Sequence, residues 1–270
     1  MSIDQGSPRQ RKSLSQVFLR TEWPVKKVVE RLQQWQVTRV LEIGPGGGIL
    51  TRALLEHPWK VTAVEKDGRF AERLVDSFEA NRSDYAGTLD VVHQDVLKFD
   101  LETWLQKSQE PTAIVGNIPY AISSPIVMWV LPHLQQVKAV EFLVQLEFAA
   151  RLAGAANTKD YGSLSVYTQL RSQVLLECKV DRTCFTPIPK VDSALVILKP
   201  RQQPIPDDFL QKIETVTRVA FTQRRKKLRN VIKTFVAEDR LDQCPIDMNR
   251  RPDSLRPEEF MELARFIYPE

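Results

Sequence analysis

Short apolar runs alternate with longer amphipathic stretches through the first two hundred residues, and the two periodicities separate strands from helices. Trp23 to Trp35 carries Val25, Val28, Val29 and Leu32 at helical spacing. Arg39 to Ile43 predicts a first strand and Ile49 to Glu56 a helix. Lys60 to Val64 then reads as a second strand, Gly68 to Ala80 as a helix and Leu89 to His93 as a third strand. The run Ala113-Ile114-Val115 marks a fourth strand, and Ala139 to Gln145 a fifth. Between them a helix is expected over Ser123 to Leu134, with Ser124 and Pro125 suited to its first turn. After a loop at Gly154 to Gly162, Ser163 to Gln173 reads as a helix, Val174 to Val180 as a sixth strand and Ala194 to Leu198 as a seventh. Phe185 to Lys190 holds too much proline for regular structure. Such alternation predicts an α/β fold with a doubly wound, seven-stranded, mostly parallel sheet.

Beyond Pro200 the strand pattern stops. Asp207 to Ala220, Gln223 to Ala237 and Pro257 to Ile267 read as helices, after a linker marked by Pro200, Pro204 and Pro206. The expected division is therefore an α/β domain over 1–200 and a small all-helical domain over 201–270.

Candidate chemistry gathers where the first four strands end. The first runs into Gly44-Pro45-Gly46-Gly47-Gly48, a turn whose missing side chains let a cofactor approach the backbone. Glu65 closes the second strand 21 positions after Gly44, the place from which an acid can accept both hydroxyls of a ribose. Spacing alone leaves a dinucleotide and S-adenosylmethionine both open. A dinucleotide fingerprint would need glycine where the chain has Ile49, so G-x-G-x-G favours S-adenosylmethionine. Asp95, after the third strand, could accept from an adenine amine. The fourth strand ends in Asn117-Ile118-Pro119-Tyr120, where a side-chain oxygen, a backbone carbonyl, a fixed turn and an aromatic face could hold a flat base by its exocyclic amine. Methyl transfer to an adenine N6 is the expected chemistry.

Composition and charge narrow the partner. The chain has 270 residues, enough for a sizeable core, and a net charge of +4. That charge is uneven: residues 1–20 carry a net +3, through Arg9, Arg11, Lys12 and Arg20 against Asp4, and residues 199–236 a net +7. The run Arg224-Arg225-Lys226-Lys227-Leu228-Arg229 fits nucleic-acid phosphates. No apolar stretch is long enough for a membrane span or a signal peptide, so a cytoplasmic protein without a membrane partner is expected. Three cysteines and three histidines lie scattered without ligand spacing, and no metal is expected.

Taken in order, Arg11 to Leu19, Glu42 to Thr51, Asn117 to Tyr120, Phe185 to Ala194 and Phe221 to Asn230 resemble the KsgA/RsmA family of 16S rRNA adenine N6-dimethyltransferases, across roughly residues 11 to 267. The resemblance implies a Rossmann-like methyltransferase domain with a helical RNA-docking domain. The implied reaction carries methyl groups from S-adenosylmethionine to two adjacent adenosines near the 3′ end of 16S rRNA, in the small ribosomal subunit or its precursor. It places Val17, Leu19, Gly44, Gly46, Glu65, Asp95 and Asn117 along the cofactor site. Asn117, Ile118, Pro119, Tyr120 and Phe185 would surround the target base, and Arg224, Arg225, Lys226, Lys227 and Arg229 would meet RNA. A monomer is expected. Two positions depart from the family pattern. Val17 stands where an asparagine is usual and could contribute only backbone and packing, and Ala121 replaces a polar residue beside the base. Alternatives are an Erm-type methyltransferase of 23S rRNA and an RNA-binding ribosome assembly factor with reduced methyl transfer.

Overall fold

The computed structural model describes residues 17–269; Arg9, Arg11, Lys12 and the motif positions up to Gln16 lie outside the described residues. In chain order the strands are β1 (Phe18–Leu19), β2 (Arg39–Ile43), β3 (Lys60–Glu65), β4 (Thr88–His93), β5 (Thr112–Asn117), β6 (Ala139–Gln145), β7 (Ser172–Val180), β8 (Phe185–Thr186) and β9 (Ser193–Pro200). The helices are α1 (Trp23–Gln34), α2 (Ile49–Leu55), α3 (Gly68–Ala80), α4 (Leu101–Gln106), α5 (Ser123–Val130), α6 (Leu146–Ala153), α7 (Ser163–Arg171), α8 (Asp207–Thr222), α9 (Leu228–Ile232), α10 (Glu238–Leu241) and α11 (Pro257–Ile267).

Seven strands form one sheet in the order β4-β3-β2-β5-β6-β9-β7, and the neighbours from β4 through to β6 pair in parallel. Every residue of β2 is buried, as a strand covered by helices on both faces requires. The order reverses at β2, between β3 and β5, which opens a crevice beyond the carboxyl ends of the strands. A second, two-stranded sheet pairs β1 with β8 in antiparallel fashion, and the Arg20 N–H extends it by donating to the Cys184 carbonyl at 2.8 Å.

The chain divides into two compact units. One comprises the described residues up to Leu146 with Glu177–Ile197; the other comprises Glu147–Leu176 with the described residues from Leu198 onward. The second unit thus takes in α6 and α7 as well as the helices after residue 200. Its core gathers Val166 and Leu170 of α7, Ile213 and Val216 of α8, and Phe260 and Leu263 of α11. Tyr161 is buried in that core, and its hydroxyl donates to the Leu255 carbonyl at 2.6 Å.

Two helices differ from expectation. The helix from Ser123 ends at Val130, and a tighter 3-10 segment carries the chain from Leu131 to Gln136. The expected helix over Gln223 to Ala237 is only α9. Its opening residues Leu228 and Arg229 donate their N–H groups to the carbonyls of Arg250 and Met248. A separate segment therefore satisfies the donors that a continuous helix would have turned backward.

Candidate active site

Within the first unit, a cavity of about 390 Å³ opens at the carboxyl ends of β2 to β5. Val17, Leu19, Gly44, Gly46, Glu65, Asp95, Asn117, Ile118, Pro119 and Tyr120 all line it. Residues that lie a hundred positions apart in the sequence thus share the wall of one space.

The glycine turn uses left-handed backbone, with φ of +65° at Gly44, +51° at Gly46 and +74° at Gly48. A Cβ at Gly46 would stand 2.8 Å from the Phe18 ring, whereas one at Gly44 would meet nothing within 4 Å and would protrude into open space. Phe18 in turn packs on Phe70, with ring centroids 5.2 Å apart. The β1 segment therefore closes over the turn.

Glu65 is 4% exposed, and each oxygen is held by one backbone donor: Gly46 N–H on Oε2 at 3.1 Å and Asp67 N–H on Oε1 at 2.9 Å. Burial pushes its carboxyl pKa upward, and the backbone bonds oppose that shift. A carboxylate so fixed retains acceptor capacity on both oxygens for a pair of hydroxyls. Asp95 accepts from Lys66 Nζ at 2.7 Å and from the Leu97 N–H at 3.1 Å; the lysine bond is the main cause holding its pKa below the usual range.

At the opposite end, Asn117 donates its side-chain amide to the Val17 carbonyl at 2.8 Å. With the nitrogen so committed, Oδ1 is the atom left to accept, and no described residue donates to it. The Ile118 N–H is taken by the Leu143 carbonyl at 3.0 Å, and no described residue donates to the Ile118 carbonyl. Tyr120 is half-buried, its hydroxyl 2.7 Å from the buried Ser193 Oγ, an anchor that fixes the ring's edge. Ala121 is exposed at the rim.

Some expected site residues stand elsewhere. Phe185 is 0% exposed, packed in the core of the first unit, and does not line the cavity. It offers no ring face to a base, because the ring is packed among the apolar side chains of that core. In the second unit Arg224 is half-buried and bonded to Asp253 and to the carbonyls of Lys159 and Thr158. Arg229 pairs with Asp242, and Lys227 reaches Asn249 at 3.1 Å. Arg225 and Lys226 are exposed and make no ion pair with a described residue.

Two buried acids escaped the sequence reading. Glu42 and Glu141, each 1% exposed, also line the cavity. Each is a charge set among apolar neighbours in its strand, Val-Leu-Glu-Ile and Ala-Val-Glu-Phe, and that interruption was the available signal. Glu141 is paired with Arg31 of α1 at 2.7 Å.

A doubly wound, mostly parallel sheet whose crevice carries a glycine turn and a buried acid at one end and two unclaimed carbonyl oxygens at the other has the frame of a Rossmann-like methyltransferase. Comparison with known proteins agrees. A family model for ribosomal RNA adenine dimethylase matches residues 8–268, and the chain belongs to that family. It is 35% identical to ribosomal RNA small subunit methyltransferase A of Colwellia psychrerythraea over 260 residues, covering 95% of this chain and 84% of that protein. The protein of the same name from Francisella tularensis subsp. novicida is also 35% identical, over 265 residues, covering 97% and 99%. Among solved structures, the 23S rRNA methyltransferase ErmE superimposes with a TM-score of 0.69 at 30% identity, covering 93% of this chain and 99% of that one. A dimethyladenosine transferase from Plasmodium falciparum shares the fold, with a TM-score of 0.73 at 24% identity and coverage of 91% and 95%. Among the described residues no helix is long and apolar enough to cross a membrane.

Proposed function

We propose that this protein transfers methyl groups from S-adenosylmethionine to N6 of two adjacent adenosines near the 3′ end of 16S rRNA, on the small subunit or its precursor. The reading is carried by the Asn117 amide, whose nitrogen is held by the Val17 carbonyl so that its oxygen stands free beside the unclaimed Ile118 carbonyl. The Glu65 carboxylate would hold the ribose hydroxyls of the cofactor, Asp95 its adenine, and the open face of Gly44 its backbone-hugging chain. When bound, S-adenosylmethionine supplies an electrophilic methyl group on a sulfonium centre.

The chain's own task is to make a poor nucleophile attack in line. Oδ1 of Asn117 and the Ile118 carbonyl would accept the two protons of the adenine amine. That lets the nitrogen turn out of conjugation and aim its lone pair across the cavity. Neutral acceptors suffice, because the nitrogen becomes strongly acidic once methylated and sheds its proton to solvent. Tyr120 would stack the flipped base, worth about 1–3 kcal/mol. Its electron-rich face also favours the positive charge that builds on the amine. Catalysis then rests on positioning and preorganised electrostatics. Arg225 and Lys226 are the exposed cations best suited to RNA phosphates.

The 35% identity to two small-subunit methyltransferases supports 16S rRNA, while the 30% identity to ErmE gives the 23S reading its one specific support. Radiolabelled methyl transfer to small-subunit particles, set against naked 23S rRNA, separates them. N6,N6-dimethyladenosine formed only on the small-subunit substrate is the expected result; label appearing only on 23S rRNA overturns the assignment.

A further inference from the structure

Glu42 is buried in the cavity wall, yet the chemistry above gives it no role. It lies on β2, between β3 and β5, and so stands between the Glu65 end of the cavity and the Asn117 end. No described residue hydrogen-bonds its Oε2. A buried carboxylate with an orphaned oxygen needs either a proton or a nearby cation.

The protein's own cations are mostly committed elsewhere. Arg31 of α1 is engaged by Glu141 at 2.7 Å and Glu177 at 2.9 Å, and Lys66 by Asp95 at 2.7 Å. Arg52 of α2 acts on Glu42 only at a distance, its guanidinium donating to the Gly47 carbonyl at 3.1 Å. From β3, the Glu65 charge repels a second anion. Arg20 at the cavity rim is exposed and is not among the charges that act on Glu42, so the partner that Oε2 lacks is a cation that enters the cavity from outside.

We propose that Glu42 distinguishes the cationic methyl donor from the neutral spent product, holding a proton in the free protein and releasing it to solvent when a sulfonium-bearing ligand occupies the cavity. The inference rests on the S-adenosylmethionine reading above. The donor carries one more positive charge than S-adenosylhomocysteine, and that charge is lost in the reaction. Recapture of a proton by Glu42 after transfer would leave the carboxyl indifferent to the neutral product, so the extra hold exerted on the donor ends with the reaction. Faster exchange matters to an enzyme that must reload between successive methyl groups.

Burial is the largest cause raising the Glu42 pKa, to about 8; Glu65 adds to it, while Thr51 and Arg52 work against it. At pH 7 the carboxyl therefore keeps about nine-tenths of its proton. A ligand that selects the carboxylate should release close to one proton at pH 7. Its affinity should rise about tenfold between pH 7 and pH 9, as the ionised fraction grows from about one-tenth to about nine-tenths. The product's affinity should stay flat or fall.

Isothermal titration calorimetry of the full chain, at pH 7 in two buffers of different ionisation enthalpy, counts those protons for S-adenosylmethionine and S-adenosylhomocysteine. The donor's α-amino group titrates in the same range, and Glu42→Gln holds that contribution constant. Expected are about one proton released by the donor and almost none by the product, with the difference lost in Glu42→Gln while both ligands still bind. Equal counts for donor and product, or a donor count unchanged in Glu42→Gln, overturn the inference and leave the cofactor reading standing. Failure of both ligands to bind the wild type overturns the cofactor reading and this inference with it. Should the variant not fold, difference infrared spectroscopy of the wild type decides: loss of a protonated-carboxyl band on adding the donor but not the product supports the inference, and no such difference overturns it.

Discussion

The Asn117 side-chain amide donates to the Val17 carbonyl at 2.8 Å, across one hundred positions of sequence. The bond uses the Val17 backbone, so the absence of a polar side chain at this position leaves it intact. It also sets the amide's orientation, because a carbonyl can only accept and must face the NH2.

Removing the Asn117 amide should therefore cost far more than trimming Val17. Asn117→Ala should slow single-turnover methyl transfer by roughly 100-fold, the scale expected for losing one preorganised hydrogen-bonding group. Val17→Ala keeps the carbonyl and should change the rate by less than about threefold. If the two variants are equally impaired with cofactor binding intact, Asn117 is not the amine acceptor.

Tyr120 separates ring from hydroxyl. Tyr120→Phe loses only the bond to Ser193 Oγ and should lower kcat/KM no more than a few-fold. Tyr120→Ala loses the stacking face and should lower it by about 10- to 100-fold, from stacking worth about 1–3 kcal/mol. Steady-state kinetics with the RNA varied would measure both, and an alanine variant no worse than phenylalanine would remove the stacking role.

Legibility followed the range of the interactions. β2, β6, α3 and α11 have the ends read from the sequence, because local signals bound them: a glycine turn, a capping Asp67 whose carboxylate accepts from the Arg69 N–H at 3.1 Å, a proline in the first turn. The crevice was legible for the same reason, each residue lying at a strand's end. What stayed hidden depended on partners far along the chain. Two-residue β1 has no pattern of its own, and its register comes from β8 more than 160 positions later. Arg224 reads as a free cation until Asp253 is placed beside it. Phe185, beside prolines, reads as an available ring until its burial is seen.

The basic run should accordingly split into two kinds of residue. Arg225→Glu with Lys226→Glu should weaken RNA binding and lower the slope of log affinity against log salt concentration by roughly 0.7–0.9 for each phosphate no longer neutralised, without altering cofactor binding. Arg224→Ala should instead lower thermal stability, since it leaves Asp253 and two backbone carbonyls without their donor. Filter binding across a salt series and a melting curve would distinguish them. Unchanged RNA affinity in the double variant would reduce these helices to a structural cap.

Glu42 should leave its mark on stability even without ligand. Its carboxyl pKa is raised from 4.5 to about 8 in the folded protein, so folded molecules hold a proton that unfolded chains have already lost. The stability tied to that proton is complete below about pH 4.5 and disappears as pH rises through about 8. Glutamine is neutral throughout and lacks this dependence. Glu42→Gln should therefore gain on the wild type between pH 5 and pH 8, by a few kcal/mol at most. Other groups titrate over the same interval, but they do so in both proteins and cancel in the difference. Thermal melts of ligand-free protein at the two pH values measure that gain; parallel shifts in wild type and variant would mean that Glu42 stays ionised in the fold, with some cation of the protein already beside it.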